Sequence, residues 1–231
     1  MIDIKNTSKN LYNIVIFIIF LIIGISICAD YGISIDEDNT RIIGFLSLKK
    51  IFNFFSYDYS SQIDYLIKSQ RFAHEGFETS GVWFDLSMAF LEFVFNIEES
   101  KNYYLLRHIS TFLIFFVSVY TFYLIIINKH KSWYLAIIGS LFLILSPRIF
   151  ANSFFNNKDI VFMSFVIFTI YTGVLFLEKK NIKYLLLFTA ISALMINLRI
   201  LGIFIPALFI LIYFQNIFYE KRLTKKNIRL L

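Results

Sequence analysis

The chain has 231 residues, of which 58% are hydrophobic and 16% are charged, and its net charge is +6. A soluble domain is nearer half apolar and carries about 25% charge, so this composition excludes an ordinary soluble domain and indicates an integral membrane protein. The single cysteine excludes an internal disulfide. The sequence contains neither a Cys/His metal motif nor a glycine-rich phosphate loop, and no nucleic-acid partner is expected.

About 20 apolar residues cross a bilayer, and six segments approach that length. The sequence therefore predicts an all-α, polytopic membrane protein, a single membrane domain over residues 1–231. A long outer loop at 30–103 is predicted to carry surface helices. The predicted spans lie at about 11–29, 104–127, 133–147, 160–177, 184–198 and 200–219.

Short basic segments set the predicted orientation. With the N-terminus inside, 12 of the 22 Lys and Arg fall in the cytoplasmic pieces 1–10, 128–132, 178–183 and 220–231. Such short segments carry most weight in the positive-inside rule. A re-entrant segment at 133–146 would move every later basic cluster outside, so the charge pattern favours six crossings with both termini cytoplasmic.

The first part of the outer loop opens with the carboxylates Asp36, Glu37 and Asp38. Their mutual repulsion near a low-dielectric boundary suits a general base or a cation ligand. The alternative is a solvated acidic turn that caps the next helix, which Asp38, Asn39 and Thr40 predict to begin near residue 41.

Further along the loop, the apolar stretch at 83–97 contains Asp85 and Glu92, which are seven positions apart and so share one helix face. This stretch predicts a helix lying at the membrane surface. Arg107 and His108 then stand inside the second predicted span. A charge at that depth costs roughly 2.5–3.5 kcal/mol, so it usually faces a cavity or a partner. The alternatives are an Arg107 that snorkels to the interface and a His108 that packs in the core.

The third predicted span is short, so the polar segment after it is expected to dip below the membrane surface. Irregular backbone at that depth is tolerated where it lines a wet cavity. The polar side chains of this segment are Arg148, Asn152, Asn156, Asn157, Lys158 and Asp159. Capping by Asp159 and snorkelling by Lys158 are the simpler alternative. Arg199, between the last two predicted spans, is either an interface residue or a phosphate ligand, because its planar fork donates two hydrogen bonds at once.

Three motifs resemble a known family: YGISIDE at 31–37, SPR at 146–148 and FNNKD at 155–159. They are similar to the N-terminal part of lipid-carrier-dependent glycosyltransferases of the GT-C superfamily. The nearest group is the protein O-mannosyltransferase and aminoarabinose transferase group, which is glycosyltransferase family 39-like. The resemblance covers about residues 11–214.

The resemblance implies transfer of a hexose or pentose from a polyprenyl-phosphate donor, with inversion, to an acceptor that the sequence does not identify. It implies an enzyme embedded among membrane lipids, in the bacterial inner membrane, with its active site facing outward. The implied catalytic residues are Asp36, Glu37 and Asp159. The implied donor phosphate ligands are Arg107, Arg148, Lys158 and Arg199. Asp36 and Asp159 are expected to share one cavity and are the metal ligands if a divalent cation, Mg²⁺ or Mn²⁺, takes part.

Family members generally have more spans than this chain, which leaves a truncated or inactive form open. Two other functions also stay open. A small transporter predicts internal repeats and charges inside several spans, whereas the charges here collect at one face. A non-catalytic subunit of a membrane complex fits the short length.

Overall fold

The computed structural model describes residues 4–57, 59–67 and 81–228. That part of the chain is all-α, with no strand, which confirms the predicted polytopic α-helical fold. Two short 3-10 segments, Cys28–Asp30 and Ile200–Ile203, separate longer elements. The α-helices are α1 (Ile4–Ile27), α2 (Ile35–Phe54), α3 (Ser60–Ile67), α4 (Trp83–Val94), α5 (Ser100–His130), α6 (Trp133–Ile144), α7 (Pro147–Phe155), α8 (Asp159–Lys179), α9 (Ile182–Leu198) and α10 (Phe204–Ile228).

Among the described residues, four helical segments are long and apolar enough to cross a membrane: Tyr12–Asp30, Ser100–His130, Asp159–Lys179 and Ile200–Tyr219. The pair α6 and α7, bent by 65°, provides a fifth if it counts as one broken span. Helix α9 is apolar but shorter. The sixth crossing stays a prediction.

Local sequence explains two helix boundaries that differ from expectation. Helix α2 begins at Ile35, because the Ser34 and Glu37 side chains satisfy each other's backbone N–H groups in a capping box. The expected start near residue 41, with caps at 38–40, is therefore wrong. The segment at 146–159 is not irregular either. Pro147 occupies the first turn of α7, where its missing N–H costs nothing, and after Ser146 only residues 156–158 are non-helical.

An aromatic core joins α1, α5 and α7 at the end where α1 leaves the bundle. Phe154 of α7 stacks on Phe112 of α5, with ring centroids 5.2 Å apart, and on Tyr31, at 4.2 Å. Phe112 and Phe154 are fully buried. This stacking fixes the segment between α1 and α2 and the end of α7 on the same side of α5. The acidic turn and the 156–158 segment are thereby brought to one end of the bundle.

Helix α4 packs tightly between α2 and the end of α9. A Cβ at Gly44 of α2 would lie 2.3 Å from the backbone oxygen of Asp85, so only glycine allows this approach. A Cβ at Gly81 would lie 1.2 Å from the backbone oxygen of Asn197, and the Trp83 N–H donates to Asn197 Oδ1 at 3.2 Å. Helices α2 and α4 therefore cover the same end of α5, α8 and α9.

Candidate active site

A buried ionic network lies where α2, α4 and α5 meet, and it consists of Arg41, Asp85, Glu92 and Arg107. Glu92 accepts from Arg41 Nε at 2.7 Å and from Arg107 Nε at 2.8 Å. Arg107 Nη1 also donates to Asp85 Oδ1 at 3.1 Å. The two cations balance the two carboxylates, and all four residues are buried. Removing any one of them would leave an uncompensated buried charge.

This network settles the two alternatives for Arg107. Its guanidinium binds Asp85 and Glu92 and is 1% exposed, so it does not snorkel to the interface. The two carboxylates contact the same arginine, which confirms that they share one face of α4. Arg107 Nη2 is buried and has no hydrogen-bond partner in the described part of the chain. Direct binding of the donor phosphate by Arg107 stays a prediction.

Asp85 connects the network to the segment between α7 and α8. The Asn157 side-chain amide donates to Asp85 Oδ1 at 2.8 Å and to Thr40 Oγ1 of α2 at 3.1 Å. Burial raises the pKa of Asp85 to about 6, although Arg107, Thr40 and Lys158 act in the opposite direction. Lys158 therefore lies close enough to influence this carboxyl electrostatically.

Glu37 and Asp38 in the first turn of α2 are held by α5. Glu37 is 2% exposed, and its Oε1 lies 2.9 Å from His108 Nε2. His108 Nδ1 lies 3.3 Å from the Cys28 carbonyl, which can only accept, so Nδ1 carries a proton. Asp38 accepts a hydrogen bond from the Tyr104 hydroxyl. His108 is thus a satisfied buried histidine, and Glu37 is both a helix cap and its partner.

Asp36 differs from its two neighbours. It is exposed, and no described residue forms a hydrogen bond or ion pair with its carboxylate. Of the three carboxylates, it alone is open to a ligand in this part of the structure. The two alternatives for the acidic turn therefore apply to different residues, with Glu37 capping the helix and Asp36 available for chemistry.

The second group of charges surrounds the start of α8. Asp159, the first residue of that helix, forms an ion pair with Arg199, and the two side chains are 58% and 44% exposed. The Asn156 side-chain amide donates to Asp159 Oδ2 at 3.1 Å and accepts from the Asp159 N–H at 2.9 Å. Arg199 follows the end of α9 in extended conformation, which agrees with its predicted place between the last two spans. Arg148 is exposed on α7.

Comparison with known proteins identifies the family. The family model described as dolichyl-phosphate-mannose-protein mannosyltransferase matches residues 86–231, more than half of the chain. The chain belongs to this family. No curated protein and no solved structure matches it significantly.

Family membership makes this protein a glycosyltransferase of the GT-C type, which confirms the resemblance that its motifs indicate. It also supports a lipid-linked sugar donor and a membrane environment. The matched region contains Arg107, Arg148, Lys158, Asp159 and Arg199. It begins after the acidic turn, so the assignment of Asp36 and Glu37 depends on the motif at 31–37 and on the geometry described above.

A resident divalent cation would need several free oxygen ligands. Asp159 is already engaged by Arg199 and Asn156. Over residues 4–57, 59–67 and 81–228, no group of three or more His, Cys, Asp or Glu side chains is arranged to hold a metal ion. The assignment of Asp36 and Asp159 as ligands of a divalent cation stays a prediction.

Several residues of this region were not singled out as site residues from sequence: Thr40, Arg41, Asp85, Glu92 and Asn157. For Asp85 and Glu92, the available signal was their seven-residue spacing. Asn157 lay within the predicted cavity-lining segment, but its partners are 72 and 117 positions away. No local pattern indicates those contacts.

Proposed function

We propose that this protein transfers a sugar from a polyprenyl-phosphate donor to an acceptor hydroxyl at the outer membrane face. The observation that carries the proposal is the buried hydrogen bond between Asn157 and Thr40, at 3.1 Å. It joins the helix that begins with the acidic turn to the segment that contains Lys158 and Asp159. This contact supports a site that combines carboxylate and basic groups from distant parts of the sequence.

The helix geometry gives the scale of this region. Asp36 and Thr40 are four residues apart on α2, so they lie on one face with a rise of about 6 Å. Asn157 touches Thr40 and directly precedes Lys158. This placement supports a site in which Asp36 and the basic residues face one ligand.

Each group has a role in a single displacement at the anomeric carbon. Asp36 accepts the proton of the acceptor hydroxyl as that oxygen bonds to the anomeric carbon. The bond between this carbon and the donor phosphate oxygen breaks, and its electron pair leaves with the polyprenyl phosphate. Lys158 and Arg199 stabilise the charge on the leaving phosphate. Attack opposite the leaving group inverts the configuration.

The remaining candidates have supporting roles in this proposal. Asp159 orients Arg199 through their ion pair. Glu37 holds the acidic turn against His108, which leaves the neighbouring Asp36 exposed. Arg148, exposed on α7, is a secondary phosphate ligand. Arg107 acts through the buried ionic network.

The charge pattern supports an outward orientation of the site. The basic pieces at 128–132 and 178–183 lie at the opposite ends of α5 and α8 from the candidate site. If these short basic pieces are cytoplasmic, as the positive-inside rule predicts, then the site faces outward. A bacterial inner membrane is consistent with this arrangement.

The direct test uses the purified chain in proteoliposomes with two donors of the same labelled sugar, one linked to polyprenyl phosphate and one to a nucleotide. We expect label to move to an acceptor extract from the lipid-linked donor alone, with release of polyprenyl phosphate and inversion at the anomeric carbon. Transfer from the nucleotide-linked donor, or no transfer from either donor, would contradict the proposal.

A further inference from the structure

We propose that Asp85 is a positioning residue of this site, which fixes the 156–159 segment against α2 so that Lys158 faces the donor phosphate while Asp36 faces the acceptor hydroxyl. The catalytic part of this inference rests on the proposed function. The structural part, in which Asp85 orders the segment, does not.

Asp85 Oδ1 is the point where three elements converge. It accepts from Arg107 Nη1 of α5 at 3.1 Å and from Asn157 Nδ2 at 2.8 Å. The same Asn157 amide nitrogen donates to Thr40 of α2. Asp85 and Asn157 are each 5% exposed and Thr40 is fully buried, so water has little access to replace these bonds. Asn157 is the buried residue of a segment whose other members are half-buried or exposed.

The negative charge of Asp85 matters in addition to its hydrogen bonds. Arg107 of α5 and Lys158, which directly precedes α8, act on its carboxylate. Arg41 of α2 and Glu92 of its own helix belong to the same buried network. Lys158 and Arg107 both interact favourably with its carboxylate. An asparagine at position 85 would retain one acceptor oxygen but would lose the attraction for Lys158. The 156–159 segment would then no longer be held in one position against α2.

The carboxyl also titrates in an accessible range. Its pKa is raised to about 6, chiefly by burial. Above pH 6 the carboxylate is charged and attracts Lys158. As the pH falls through 6 the group becomes neutral, and that attraction is lost. A positioning role therefore predicts that kcat/KM for the donor falls as the pH drops below about 6. A purely structural role predicts no such decrease.

The first experiment measures order without measuring transfer. Amide hydrogen exchange over residues 156–162 is compared in the full chain and in Asp85→Asn and Asn157→Ala. The matched control is Asp64→Asn, an exposed aspartate of α3. We expect exchange in this segment to become about tenfold faster in both test variants, the size expected for loss of one buried hydrogen bond, and to stay unchanged in the control. If Asp85→Asn does not accumulate in membranes, Asn157→Ala tests the same bond from its other end.

The second experiment measures transfer from the polyprenyl-phosphate donor between pH 5 and 8. We expect kcat/KM for the donor to be about 10–100-fold lower in Asp85→Asn, since small displacements of positioned groups have effects of this size. The decrease in kcat/KM that the wild type shows below about pH 6 should be absent in that variant. The Asp64→Asn control should keep both the wild-type kcat/KM and its decrease at acid pH.

The outcomes separate the two proposals. Unchanged hydrogen exchange in the test variants overturns the role of Asp85, even if the wild type transfers sugar. A wild-type chain that transfers no sugar, together with faster exchange in the variants, overturns the proposed function and supports the structural part of the inference. Faster exchange with an unchanged pH profile and unchanged kcat/KM overturns the positioning role.

Discussion

Two sets of charged residues lie at the same end of the bundle and differ in what surrounds them. In the buried ionic network, Arg41, Asp85, Glu92 and Arg107 are at most 5% exposed, and their charges balance. The exposed charged set, Asp36, Asp159 and Arg199, faces the surface, and Asp36 has no partner among the described residues. The first set is arranged to hold helices together. The second set is available to a ligand.

The difference shows why the type of residue is a poor guide to its role here. A buried arginine must be paired, because an unpaired charge away from water costs several kcal/mol. An exposed arginine has no such cost, and an ion pair at the surface stabilises the fold by only about 0–1 kcal/mol. Substitutions in the buried set should therefore lower stability, with Asp85 alone expected to affect transfer as well, whereas substitutions in the exposed set should change transfer and leave stability near that of the wild type.

The largest effect is expected from Arg107→Ala. It leaves two buried carboxylates without one of their cations and should lower the free energy of unfolding by about 3–5 kcal/mol. Thermal unfolding in detergent measures this loss. The matched control is Arg148→Ala, because Arg148 is exposed and its removal should change stability by about 0.5 kcal/mol or less. Equal unfolding temperatures for the two variants would contradict the division into buried and exposed sets.

Arg199→Ala should affect the donor rather than the fold. Loss of a charged hydrogen bond to the phosphate is expected to weaken donor binding by about 1.5–3 kcal/mol, which raises the donor KM about 10–150-fold. The unfolding temperature should stay near that of the wild type, because the ion pair with Asp159 is exposed. Donor titration in the transfer assay measures the change. An unchanged KM together with an unchanged kcat would remove Arg199 from the site, and Arg199→Lys distinguishes charge from the planar fork.

The same comparison applies within the acidic turn. Glu37→Gln weakens the capping box and leaves His108 without its carboxylate, so we expect a loss of about 1–3 kcal/mol in the free energy of unfolding. Asp36→Asn, one residue earlier, should leave stability unchanged. Chemical denaturation of both variants measures the difference. A larger loss of stability in Asp36→Asn would reverse the assignment of the two carboxylates.

The smallest effect is expected at the surface pair of Lys49 and Asp64. Their side chains are 27% and 60% exposed and lie 2.6 Å apart, far along α2 from the acidic turn. Removing this pair with Lys49→Ala should change the free energy of unfolding by less than about 1 kcal/mol and leave turnover unchanged. Unfolding and transfer measured on one preparation test both statements, and a clear loss of turnover would extend the functional region to α3.

The sequence predicted what local patterns determine. Apolar length predicted the membrane-length helices, and the seven-residue spacing predicted that Asp85 and Glu92 share a face. Capping chemistry misled at α2, because Asp38, Asn39 and Thr40 are good caps but Ser34 and Glu37 form the complete box. Pro147 and the polar residues after it suggested a loop. Pro147 instead begins α7, because proline is well suited to the first turn of a helix.

The contacts that define the site could not be predicted in the same way. The contacts of Asn157 with Asp85 and Thr40 depend on the packing of α7 against α5 and on the close approach of α4 to α2 at Gly44. These are packing events between residues far apart in sequence. Asp36 is exposed because His108 and Tyr104 bind Glu37 and Asp38, the two residues after it.

The central claim is that Asp36 supplies the base for sugar transfer, and single turnover at saturating polyprenyl-phosphate donor tests it most directly. Asp36→Asn keeps the shape of the side chain and removes its charge and its capacity as a base. The account predicts a rate at least about 10²-fold below wild type, with unchanged unfolding temperature and donor KM, while Asp64→Asn turns over normally. Near-normal turnover by Asp36→Asn, at equal amounts of folded protein, would contradict the account and leave the acidic turn with a helix-capping role alone.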